Sequence, residues 1–71
     1  MNEMHKFWLL QLFDEEIQEE LGTIQNEELW NIGYEGEASE NPHPANIKLR
    51  QEYVDILKKL RQKVEDGTII D

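Results

Sequence analysis

Sixteen Asp and Glu residues and two histidines are the side chains of this 71-residue chain with chemistry to offer, and their spacing decides which chemistry that is. His5 and His43 lie far apart in the sequence, and neither has metal-ligand spacing to another His; there is no cysteine. A structural or catalytic zinc site needs three or four such ligands converging, so no metal site is expected. Ser39 and His43 share a short stretch. A nucleophile also needs an oriented base and an oxyanion site, which a surface loop on so small a scaffold does not supply. Gly33 and Gly36 flank Tyr34 and read as turn glycines, not as a phosphate-binding loop. No catalytic residue and no cofactor are expected, and the chain reads as a non-enzyme.

The carboxylates carry more information. From Met1 to Pro44 there are eleven acids against one base, Lys6; from Ala45 to Asp71 there are five acids against six bases. The chain is electrically two halves. Within the acidic half, Glu15 with Glu19 and Glu16 with Glu20 are like-charged pairs at i,i+4, each costing roughly 0.2–0.5 kcal/mol in an isolated helix. If the helix ends at Leu21, Glu19 and Glu20 also sit at the negative end of its dipole. Folding alone would not select this arrangement, so the compensating positive charge is expected either elsewhere in the chain or on another molecule.

In the second case the partner is a protein with a basic surface or nucleic-acid-binding groove. Carboxylates at i,i+4 stand about 5–6 Å apart, comparable in scale to the phosphates of a nucleic-acid strand. Small acidic proteins of phages and mobile elements inhibit DNA-handling enzymes by this general strategy of DNA mimicry. The candidate surface is Glu15, Glu16, Glu19, Glu20, Glu27 and Glu28, extended by Glu35, Glu37 and Glu40. A net charge of -9 argues against direct contact with nucleic acid or an anionic membrane. The apolar run Phe7–Phe13 is broken by Gln11 and has no small-residue cleavage site after it, so neither a signal segment nor a membrane span is expected. The expected setting is the cytoplasm, the host's if the gene is viral.

The elements that must position these residues are helical. Asn2 is a candidate N-cap, and apolar spacing predicts helix 1 from Glu3 to Leu21, with Gly22 as the residue past its end and Ile24 folding back onto the last turn. On this helix Leu10, Phe13, Ile17 and Leu21 make one stripe, and Met4, Trp8 and Leu12 a second on roughly the opposite side. A short middle helix is predicted from Asn26 as cap, covering 26–32, with Trp30 covering the second stripe. Residues 33–44 read as a surface loop, Asn41 and His43 each preceding a proline.

Helix 3 is predicted over 45–66, opened by Pro44 or Asn46 and closed by Gly67, with Ile69 and Ile70 packing back. Its apolar half holds Ile47, Leu49, Tyr53, Val54, Ile56, Leu57, Leu60 and Val64, interrupted by Arg50 and Arg61. Their guanidinium groups are expected to pair with helix 1 carboxylates while their stems cover the core edge. Residues 1–71 are thus read as one small all-α domain, either a three-helix domain or a helical hairpin with a short middle helix. The expected function is that of an acidic binding protein, an inhibitor or modulator of a nucleic-acid-handling protein. The alternative is a homodimeric module whose apolar interface is Met4, Trp8, Leu12 and Trp30.

Overall fold

The computed structural model describes residues 2–67, which form a helical hairpin. Helix α1 spans Glu3–Ile32, a 3-10 turn covers Ala38–Glu40, and helix α2 spans His43–Asp66. The molecule measures 52 × 16 × 12 Å, as a 30-residue helix of about 45 Å requires.

The ends follow from local chemistry. Asn2 Oδ1 accepts the His5 backbone N–H at 2.8 Å, satisfying one of the first-turn donors, and Glu3 lies in that turn. Gly33 closes α1, its N–H donating to Leu29 O at 3.1 Å. The Asn41 side chain donates to Asn31 Oδ1 at 2.6 Å and accepts the His43 N–H at 3.0 Å, tying the loop to both helices. Pro44 occupies the first turn of α2, where its missing N–H costs nothing. Gly67 ends α2 at φ 75°, the left-handed position expected of it, and its N–H reaches the carbonyls of Lys63 and Val64.

The helices are antiparallel and meet along a heptad seam. In α1 the inward positions are Leu10, Phe13, Ile17, Glu20, Ile24, Glu27 and Asn31; in α2 they are His43, Ile47, Arg50, Val54, Leu57, Arg61 and Val64. Both series alternate steps of three and four, the spacing that keeps one stripe facing a partner helix. Ile17, Ile24, Val54 and Leu57 form the core, with Phe13 and Ile47 packed against it. Val64, at 2% exposure, is the most completely buried side chain of the described residues.

Three expectations are corrected. Gly22 does not end a helix: the predicted first and middle helices are one continuous α1, so the hairpin holds and the three-helix reading does not. Ile24 and Glu27 both occupy the seam, and their burial against α2 offsets the roughly 1 kcal/mol a helical glycine costs relative to alanine. Asn26 is accordingly an exposed mid-helix residue and not a cap. Trp30 cannot cover Trp8, because the two lie on the same continuous helix about 33 Å apart along its axis. The expectation for Ile69 and Ile70 lies outside the described residues.

Candidate functional site

The acidic residues of α1 divide into an inner and an outer set. Glu20 and Glu27 fall at seam positions and are buried. Arg50 Nη1 donates to both oxygens of Glu20, at 3.0 and 2.7 Å. The Nδ1 of His43 lies 2.6 Å from Glu27 Oε2. A carboxylate can only accept, so Nδ1 carries the proton. The His43 ring also lies 6.1 Å from that of Trp30 and meets Tyr34 edge-on at 5.9 Å, which packs the pair between aromatic groups at the closed end of the hairpin.

Two further pairs span the helices at the rim. Arg61 Nε donates to Asp14 Oδ1 at 2.6 Å and its Nη1 to Glu65 at 2.8 Å. The hydrogen bond to Asp14, with that carboxylate's charge, raises the Arg61 pKa above its already high ordinary value. The Tyr53 hydroxyl donates to Glu16 Oε1 at 3.2 Å. Loss of hydration and this neighbouring carboxylate push the Tyr53 phenol upward. The expected pairing of Arg50 and Arg61 with α1 carboxylates is therefore present in both cases.

This pairing corrects the candidate surface. Glu20 and Glu27 are turned into the seam and held there by hydrogen bonds to Arg50 and His43, so they present no open carboxylate to a partner. Glu19 and Glu20 are mid-helix residues, which removes the dipole argument that made them look misplaced. Glu15, Glu19, Glu28, Glu35, Glu37 and Glu40 remain exposed. Among the described residues none of these six is in an ion pair; Glu15 accepts only the Gln11 amide, at 3.4 Å. In the sequence the nine acids look alike, because the helix register that separates them depends on α2. The signal was present in the seven-residue recurrence of Leu10, Ile17 and Ile24 beside Phe13, Glu20 and Glu27.

The apolar candidates Met4, Trp8, Leu12 and Trp30 are all more than half exposed. Trp8 and Leu12 line one shallow depression with Gln11 and Glu15 on the side of α1 away from α2. A second apolar set was hidden in the broad apolar half of α2: Leu49, Tyr53, Ile56 and Leu60 also stay exposed. One facing helix covers only a stripe.

His5 stacks near Trp8 at 5.6 Å, and Ser39 lies in the exposed 3-10 turn. Among the described residues no group of three or more His, Asp or Glu side chains could hold a metal ion, and no helix is long and apolar enough to cross a membrane. The fold and its surfaces define the class, a two-helix hairpin with exposed acids along α1 and in the connecting loop. No protein-family model, curated protein or solved structure matches the chain.

Proposed function

We propose that the chain is a non-enzymatic binding protein acting in the cytoplasm, or in the host's cytoplasm if the gene is viral. Its exposed acids engage a protein with a basic surface, and an inhibitor or modulator of a nucleic-acid-handling protein is the form this takes. The observation that carries the reading is the set of six exposed acids, Glu15, Glu19, Glu28, Glu35, Glu37 and Glu40, left without an ion pair among the described residues after the inner acids are matched. Such a surface raises association rates with a basic partner and loses its effect as salt screens it.

The test is a pull-down from native cells across a salt series, followed by replacement of the six by Gln. Capture of a basic protein that weakens steeply with salt and with the substitutions is expected. Binding indifferent to both overturns the reading. A second reading, self-association, is favoured by the apolar side chains left in water, Trp8 and Leu12 on α1 and Leu49 and Ile56 on α2.

A further inference from the structure

The exposed apolar residues of α2 are not scattered. Leu49, Tyr53, Ile56 and Leu60 follow one another at steps of four, three and four, the spacing of the buried seam beside them. They form a second seam on the same helix, turned about a quarter of a circle from the first. Tyr53 bonds to Glu16 across the hairpin, so this seam opens on the face of the molecule that also carries Leu12, exposed on α1. Trp8 sits about one further step round α1, toward its back.

We propose that this second seam is the interface of a homodimer in which two hairpins pack face to face as a four-helix bundle. The inference rests on the self-association reading and places the interface on α2 with Leu12, leaving Met4 and Trp8 outside it. Three observations select a second copy as the occupant. First, a repeat of four, three and four along three turns is covered by another long helix and not by a compact ligand.

Second, one hairpin is a single layer. Its radius of gyration is 16.2 Å, against about 11 Å for a compact chain of this length. Doubling the layer turns the exposed stripe into a core.

Third, the charges complement each other between copies. Helix α1 carries eight acids and one base, and α2 carries six bases and four acids. A two-fold axis parallel to the helices sets α1 of one copy beside α2 of the other. Every neighbouring pair in that bundle is antiparallel and opposite in net charge, and each residue stays level with its intramolecular counterpart. Leu12 then opposes the partner's α2 near Ile56. An axis lying across the helices would place α1 on α1 and oppose like charges.

The experiment is sedimentation equilibrium over a wide concentration range, with circular dichroism on each sample. The wild type is expected to reach twice the chain mass of 8.5 kDa. Leu49 and Ile56 are 64% and 53% exposed, so Leu49→Glu with Ile56→Glu leaves the hairpin's own core untouched. That variant is expected to weaken dimerisation by about 100-fold or more with the helical signal retained, and Trp8→Ser is expected to dimerise as the wild type does. If the glutamate pair unfolds the chain, Leu49→Ser with Ile56→Ser is read in its place. A wild type that stays monomeric throughout overturns the proposal and the self-association reading with it, and leaves the reading of the exposed acids as a binding surface standing. A dimer that survives both pairs of α2 substitutions, or is lost in Trp8→Ser, overturns the seam while self-association stands. For the arrangement, Leu12→Cys and Ile56→Cys chains are oxidised separately and mixed, the natural chain having no cysteine. Faster cross-linking in the mixture is expected, and equal or slower cross-linking overturns the parallel axis.

Discussion

Arg50 reaches across the hairpin to Glu20 and holds both carboxylate oxygens from one guanidinium nitrogen, at 3.0 and 2.7 Å. Both residues stand at seam positions, between an apolar level at Ile24 and Ile47 and another at Ile17 and Val54. Their pairing, with that of His43 and Glu27, fixes the register. A shift by one heptad in either direction would leave at least one of Glu20 and Glu27 facing an apolar residue or nothing.

The first prediction separates stability from register. Removing one partner of a fully buried pair costs about 3–5 kcal/mol. The Arg50 side chain is 43% exposed and that of Glu20 11%, so Arg50→Ala is expected to cost less, about 1–3 kcal/mol in chemical denaturation. Glu20→Leu with Arg50→Leu replaces the pair by apolar groups and is expected to match or exceed the wild-type melting temperature. An Arg50→Ala protein as stable as the wild type would show that the contact adds nothing.

The second prediction concerns pH. Loss of hydration, followed by the hydrogen bond to Glu16 and that residue's charge, raises the Tyr53 phenol above its ordinary 10.0. A group whose folded pKa is raised favours the fold below its unfolded pKa, and that contribution is lost as pH climbs through the folded value. In a Tyr34→Phe background, the phenolate absorbance of Tyr53 should therefore reach its midpoint above pH 10.0. Glu16→Gln should move the transition downward by removing the neighbouring charge. A transition that does not respond to Glu16→Gln would mean that the Tyr53–Glu16 contact is not formed in solution.

A third prediction tests the closed end. A Cβ at Gly36 would lie 2.5 Å from the Tyr34 hydroxyl and 2.6 Å from its ring carbon, so the ring must swing aside in Gly36→Ala. Tyr34 then gives up its edge contact with His43, a kind of contact worth about 0.5–1.5 kcal/mol. Proton NMR should show the His43 ring resonances displaced and the Tyr34–His43 cross-peaks lost. Cross-peaks kept at wild-type strength would place the Tyr34 ring elsewhere.

Much of this arrangement was legible in the residues. The Asn2 cap, the glycine stop of α2 at Gly67 and the coupling of Arg50 and Arg61 to α1 carboxylates follow from short-range chemistry that a sequence displays directly. What was not legible depended on the partner helix. The wheel of α1 grouped Leu21 with Leu10, Phe13 and Ile17, but the seam passes through Glu20 and Ile24 and leaves Leu21 on the flank, 41% exposed. Two buried glutamates look like surface in a sequence, because only Arg50 and His43, thirty and sixteen positions away, make their burial tolerable. The inner and outer acids were inseparable until that register was known.

Gly22 gives the sharpest test of the corrected fold, because the two readings predict opposite signs. As the terminal residue of a short helix it would take a left-handed conformation, and Gly22→Ala would be strained. In the hairpin it lies within α1, ten residues before the end of the helix, and is exposed. A Cβ added there meets nothing within 4 Å. Alanine has the higher helix propensity and restricts the unfolded chain, and here it displaces nothing. Gly22→Ala is therefore expected to stabilise the protein by about 0.5–1 kcal/mol, read as a higher denaturation midpoint at unchanged slope. A destabilised variant would mean that α1 is broken at Gly22, and that Ile24 and Glu27 reach α2 from a separate short helix.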